Sequence, residues 1–169
     1  SMNQTLVYHP RLDEHGKKVV LARPSMESNL AQLADAAASA TFVPTSSWEQ
    51  ALHGIALASW GPFDTAASVW EELATPQIYE PAYALPAGMR AAAGAVVVEP
   101  DGRVWMVAPS NGFGGYQVTF PKGRVDKGAS MQATAIKEVW EESGLLVKLT
   151  GYVGDFIRTQ TYTRFYVAR

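Results

Sequence analysis

The stretch from Gly123 to Leu145, GRVDKGASMQATAIKEVWEESGL, constrains the fold more than any other part of the chain. It opens as a glycine-bearing loop and continues as a helix on which Glu141 and Glu142 follow Glu138 by three and four residues. At about 3.6 residues per turn, these offsets bring the three carboxylates to one side of the helix, within a turn of each other. Ala129, Ala133, Ile136 and Trp140 fall in an arc facing away from the acids, so one face reads as core and the other as concentrated negative charge. Like charges at this spacing repel by roughly 0.2–0.5 kcal/mol per pair, and the C-terminal end of a helix disfavours acids further. A hard divalent cation offsets both effects: Mg²⁺ takes carboxylate oxygens, keeps several waters and leaves positions open for substrate phosphates. For the bare E-x-x-E-E spacing, the alternative is a solvated acidic face without a metal.

The surrounding residues favour the cation. The stretch resembles the Nudix box, in which a glycine is followed by a glutamate, an Arg-Glu-aliphatic triplet, a Glu-Glu pair and a Gly-aliphatic ending. Gly123 takes the first position, Glu138 and Val139 stand after the arginine position, Glu141 and Glu142 form the pair, and Gly144 and Leu145 close it. Phe120, Pro121 and Lys122 resemble the usual lead-in. Two positions depart, with Ala129 in place of the first glutamate and Lys137 in place of the arginine. In the family those two residues support the loop and orient the catalytic glutamates, so their replacement bears on activity more than on fold.

The resemblance implies a fold and a chemistry. The expected class is α/β (α+β): a Nudix-type α/β/α sandwich with a mixed sheet over residues 90–169, preceded by a small α+β segment. Glu138, Glu141 and Glu142 would hold Mg²⁺ or Mn²⁺, with Gly123 adding a backbone carbonyl, and Glu142 or Glu141 would serve as general base. Lys122 and Arg124 flank the site as substrate-binding cations, or stand as ordinary surface charges. The substrate implied is a nucleoside diphosphate linked to another group. Gln160 stands where ADP-ribose pyrophosphatases carry a proline. Tyr162 stands where dinucleoside polyphosphate hydrolases carry a tyrosine, and it is the third candidate substrate contact. The phrases FPKGRV and KEVWEE are similar to that group and to the diphosphoinositol polyphosphate hydrolases. The alternatives are an ADP-ribose or NADH type pyrophosphatase, and a Nudix-like binding or regulatory module with little turnover. Tyr162 also reads simply as a strand aromatic in the sheet.

Composition sets the outer bounds. The chain has 169 residues, 47% hydrophobic, with a net charge of −2 and no cysteine. That suits one domain with an appendage, lacks the basic footprint of a binder of long nucleic acid, and excludes disulfides and thiolate metal sites. No apolar run approaches the length of about 20 residues needed to span a bilayer. Ser1 ahead of Met2 reads as a residue left by cloning, and no signal-peptide apolar region follows. The expected location is cytoplasmic.

Residues 1–74 have a different texture. Leu6 to Tyr8 and Val19 to Ala22 are candidate strands around the turn-prone Asp13-Glu14-His15-Gly16. Met26 to Ala40 has helical spacing. A second helix from Ser46 or Ser47 would carry Trp48, Leu52 and Ile55, and a third, Thr65 to Leu73, would be capped by Asp64 with Trp70 inward. Trp48, Trp60 and His53 read as core before they read as a ligand-stacking group, and His9, His15 and His53 lack metal spacing. Residues 75–89, with three prolines and a glycine, read as an extended linker.

From Arg90 the pattern is of strands. Ala91 to Glu99 turns at Pro100-Asp101-Gly102 into Val104 to Ala108, and Tyr116 to Phe120 leads into the box. Leu145 to Ile157 is interrupted by Gly151 and Gly154, and Tyr162 to Ala168 alternates. The family continues beyond this with a helix over the other sheet face. The expectation is therefore either that the chain is a fragment, with the domain at 90–169 lacking its C-terminal part, or that the N-terminal segment, a partner or a homodimer contact supplies that cover.

Overall fold

In the computed structural model, the described residues are 7–8, 12–13, 15–21, 35, 37, 51–52, 55–56, 66–108 and 118–169. The chain divides into two compact units, Ser1–Phe63 and Asp64–Arg169. In the first, β1 (Val7–Tyr8) and β2 (Val20–Leu21) pair antiparallel, as do β3 (Ala51–Leu52) and β4 (Ile55–Ala56). The first pair agrees with the sequence. Its turn is organised by the Asp13 carboxylate, which accepts the N–H groups of His15 and Lys17 at 2.8 Å.

The second pair corrects the expectation of a helix carrying Leu52 and Ile55. Leu52 pairs with Ile55 directly across the ladder, and a spacing of three in sequence suits the shortest hairpins. Gly54 would also cost a helix about 1 kcal/mol. Trp48, Trp60, His9, His53 and Tyr116 lie outside the described residues; of the helix expected over Met26–Ala40, only Asp35 and Ala37 are described, in a bend and a turn, with the Ala37 N–H donating to the Asp35 carboxylate at 3.0 Å.

The second unit begins with α1 (Ala67–Glu72), whose N-cap is Ala66 without a side-chain cap bond, so the role given to Asp64 is not filled. A six-residue helix is marginal by itself. It is held by Trp70, buried at 2% exposure, whose ring lies 5.6 Å from that of Trp140. The domain boundary therefore falls before α1, at residues 63–64, rather than after residue 74. Residues 75–89 are irregular, as their prolines dictate, but they are a packed strap and not a free linker. Thr75 Oγ1 donates to the Leu149 carbonyl at 2.9 Å, and the Tyr83 hydroxyl donates to the Tyr162 carbonyl at 2.5 Å.

The sheet is mixed and four-stranded. It contains β5 (Arg90–Val97), β6 (Lys122–Arg124), β7 (Leu149–Ile157) and β8 (Thr161–Ala168), in the order β6-β5-β8-β7. β5 and β8 run parallel, while β6 and β7 pair antiparallel at the edges. β7 slips register between Leu149 and Gly151 and again between Tyr152 and Gly154, so the glycines that interrupt its pattern sit at bulges. A tight turn at Pro100–Gly102 returns the chain toward β5, with a bridge between Val98 and Val104.

The helix α2 (Met131–Ser143) crosses this sheet, burying Ala133, Ile136, Val139 and Trp140. Ala129 precedes it instead of joining that face. Ala91, Ala93 and Ala95 share a face with Arg164 and Tyr166 through the ladder register, and these small side chains let the helix approach closely. Gly144 ends α2 in the left-handed conformation (φ 80°), with its N–H bonded to the Trp140 carbonyl at 2.8 Å.

Candidate active site

The start of α2 fixes where its acids end up. Ser130 is the N-cap, and its hydroxyl accepts the Ala133 N–H at 3.1 Å. A capping box would place Glu at residue 133, where this chain has alanine. Glu71 of α1 supplies the missing carboxylate, accepting the Ser130 N–H at 2.9 Å and its hydroxyl at 2.7 Å.

Two turns on, Glu138 passes over Gly123 of β6. A Cβ on Gly123 would overlap the Glu138 carboxyl group, so only glycine permits this approach. One turn further, Glu142 reaches the edge of β6 and accepts the Lys122 backbone N–H at 2.8 Å. Lost hydration, and then the Glu138 charge, push the Glu142 carboxyl up to about 8, with Glu141 adding to the rise. The Lys122 N–H bond and the Lys122 charge pull the other way. Glu142 lies at an exposed position, so water still reaches its carboxyl and the neighbouring carboxylates carry the rise.

Of the residues singled out in the sequence, the structure thus brings together Glu138, Glu142 and Gly123, with Glu141 close enough to act through its charge. Among the described residues, no group of three or more His, Cys, Asp or Glu side chains is gathered so that it could hold a metal ion, so the three-glutamate cluster expected from the sequence is not assembled as such. The donor set nonetheless fits a hard cation. Mg²⁺ is ordinarily held by one or two carboxylates with waters and substrate phosphates, and a carboxylate destabilised by its like-charged neighbour is what a cation relieves.

Lys122 and Arg124 are placed differently from the glutamates. Their ladder partners are Gly94 and Ala92, and a Cβ on Gly94 would come 2.6 Å from Lys122 Cβ, so both side chains leave the sheet on the face away from α2. Lys122 therefore serves the glutamates by its backbone N–H and by charge. Tyr162 packs on Tyr83, with ring centroids 5.4 Å apart, and so has a packing role as a strand aromatic. Lys137 bonds Asp126 at 3.0 Å and ties the glycine loop to the helix.

Sequence reasoning missed Glu71, Glu80, Asp126 and Gln132. Only Asp126 left a signal, as an acid in the loop one side chain away from a substituted arginine position.

A sheet edge with a carboxylate pair laid against it by a capped helix makes a helix-borne acidic site. Residues 88–169 match the family model of the NUDIX domain, the family that the pattern at 123–145 resembles. The RNA pyrophosphohydrolase of Caulobacter vibrioides is 38% identical over 65 residues, which are 38% of this chain and 38% of that protein. The match thus spans well under half of the curated relative's length. Among solved structures, a nudix hydrolase family member from Chromobacterium violaceum is 27% identical, with a TM-score of 0.40 over 50% of this chain and 53% of that one. An ADP-ribose pyrophosphatase from Streptococcus suis is 23% identical, with a TM-score of 0.41 over 47% and 59%. No helix among the described residues is long and apolar enough to cross a membrane.

Proposed function

We propose that this protein is a divalent-metal-dependent pyrophosphohydrolase that cleaves a phosphoanhydride bond in a nucleoside diphosphate derivative. The observation that carries the reading is the pairing of Glu138 and Glu142 at β6, with Gly123 cleared for one and the Lys122 N–H holding the other. Glu138 and Glu142 would hold Mg²⁺ or Mn²⁺, which when bound lowers the pKa of a coordinated water and neutralises charge developing on the phosphoryl oxygens. Glu142 or Glu141 would take the proton of the attacking water. Lys137 keeps the glycine loop against the helix, and the Lys122 charge adds to the attraction for phosphate.

The substrate class proposed is a polyphosphate carried on a nucleoside. The name of the Caulobacter relative supports including RNA ends, and the phrases FPKGRV and KEVWEE support dinucleoside polyphosphates. The test is product release from diadenosine polyphosphates, ADP-ribose, NADH and a 5′-triphosphorylated oligoribonucleotide, with and without Mg²⁺. Turnover abolished by EDTA and by Glu142→Gln is the expected result. Turnover indifferent to both would remove the mechanism.

A binding module without turnover is the second reading, favoured by Ala129 and Lys137. Such a module needs no cation, so calorimetric Mn²⁺ binding that Glu142→Gln abolishes would count against it.

A further inference from the structure

We propose that Glu80 and Gln132 are positioning residues for the glutamate helix, coupling it to the sheet through a strap that precedes the family-matched residues. The proposal rests on the functional reading above and adds to it the device that sets where Glu138 and Glu142 stand.

Arg164 of β8 is 2% exposed, and its Nε and Nη2 bind the Asp155 carboxylate at 2.8 and 2.9 Å. Its remaining Nη1 donates to Glu80 Oε1 at 3.0 Å, and the Tyr166 hydroxyl donates to the same oxygen at 2.6 Å. Neutralising a buried guanidinium would be sufficient reason for a carboxylate at this place. The second oxygen shows more: Glu80 Oε2 accepts from Gln132 Nε2 of α2 at 2.9 Å. Gln132 is pinned from the other side as well, its Oε1 accepting the Thr75 N–H at 2.7 Å and its Nε2 donating to the Thr75 carbonyl at 3.0 Å. Both amide atoms are therefore engaged, and the side chain has one orientation.

The first turn of α2 is thus locked to β8 by way of Glu80. Gln132 and Glu138 are about 9 Å apart along the helix axis at 1.5 Å per residue. Between them α2 is continuous helix, so a shift at Gln132 is carried to the carboxylates. At that end the tolerance is small, because Glu138 passes over Gly123 with no room for even a Cβ, and Glu142 must meet the Lys122 N–H. Clamping the near end sets the seating of the far end.

The test uses the full chain. Gln132→Ala removes the link without touching Arg164 and leaves the best helix former in its place. In this variant the Lys122 amide, protected by Glu142, is expected to exchange with solvent roughly tenfold faster, while the Ala95 amide, bonded to Pro121, keeps its rate. kcat is expected to fall roughly tenfold with KM within about twofold, the mark of a site misplaced but still able to bind. Gln132→Glu sets two carboxylates against each other and should exceed both effects. Adding Glu80→Gln restores a donor–acceptor pair with the roles exchanged, and both readouts should recover toward wild type. If Gln132→Glu does not fold, Gln132→Ala decides. Lys122 exchange unchanged in Gln132→Ala overturns the proposal whatever kcat does. A wild-type protein that hydrolyses none of the substrates removes the proposed function alone, because the exchange comparison needs neither metal nor turnover.

Discussion

Glu138 lies against the backbone of Gly123 so closely that a Cβ there would overlap its carboxyl group. The contact joins the loop to the helix at the point where the acids gather. Gly123 has no positive φ, so glycine is needed here for space and not for backbone conformation. Gly123→Ala should therefore leave the fold in place and displace Glu138. We expect kcat to fall by roughly tenfold or more, about 1.4 kcal/mol in barrier, with Mn²⁺ affinity reduced in parallel. Steady-state kinetics and calorimetry measure both.

Glu142 makes the metal-free protein sensitive to pH. Its carboxyl is held above its ordinary 4.5 in the folded chain, so from there upward the folded state keeps a proton that the unfolded state has released, until its own raised value is passed. Stability then falls as pH rises through that window. Melts in EDTA from pH 5 to 8.5 should show this decline, and Glu142→Gln should flatten it. Cation and proton compete for the same oxygens, so Mn²⁺ affinity should climb over the same range.

Much of the second unit was legible in local patterns. Glu138, Glu141 and Glu142, together with Ile136 and Trp140, fixed the two faces of α2. Gly151 and Gly154, read as interruptions of the strand, sit at the register slips of β7. What escaped was long-range. The prolines of residues 75–89 exclude helix and regular strand, but carry no sign that Glu80 meets Arg164 across 84 residues of sequence. Nor could helical spacing reveal that the α2 cap is completed by Glu71. At Leu52 and Ile55 a spacing of three suited a helix turn and a two-residue hairpin equally, and the hairpin prevailed.

Lys137 takes the arginine position of the family pattern and bonds Asp126. Asp126 is 76% exposed, so the pair contributes only about 0–1 kcal/mol to stability. Its effect should appear in activity, through the loop that carries Gly123. Lys137→Ala is expected to lower kcat severalfold at a nearly unchanged melting temperature, and Lys137→Arg to retain turnover. Equal kcat in the two variants would show that the tie to Asp126 has no bearing on the site.

The family-matched residues should not fold well without the strap. A fragment of residues 88–169 loses Trp70 from its place on Trp140, and removing a buried tryptophan costs about 3–5 kcal/mol. It also loses Glu80, leaving buried Arg164 with Asp155 as its remaining carboxylate and Tyr166 without its acceptor. Breaking a buried ion pair from one side costs about 3–5 kcal/mol more. Thr75 and Glu71 leave with the same segment, exposing the start of α2. Against a total stability of about 5–15 kcal/mol for a domain, these losses consume most of what holds the fragment together. A fragment of residues 64–169 keeps every one of these contacts, so it should unfold in one cooperative transition, while 88–169 should show a broad transition or none. Urea titration of the two, followed by far-UV circular dichroism and tryptophan fluorescence, makes the comparison. Equal midpoints would mean that α1 and the strap are only laid over the sheet and contribute nothing to holding it.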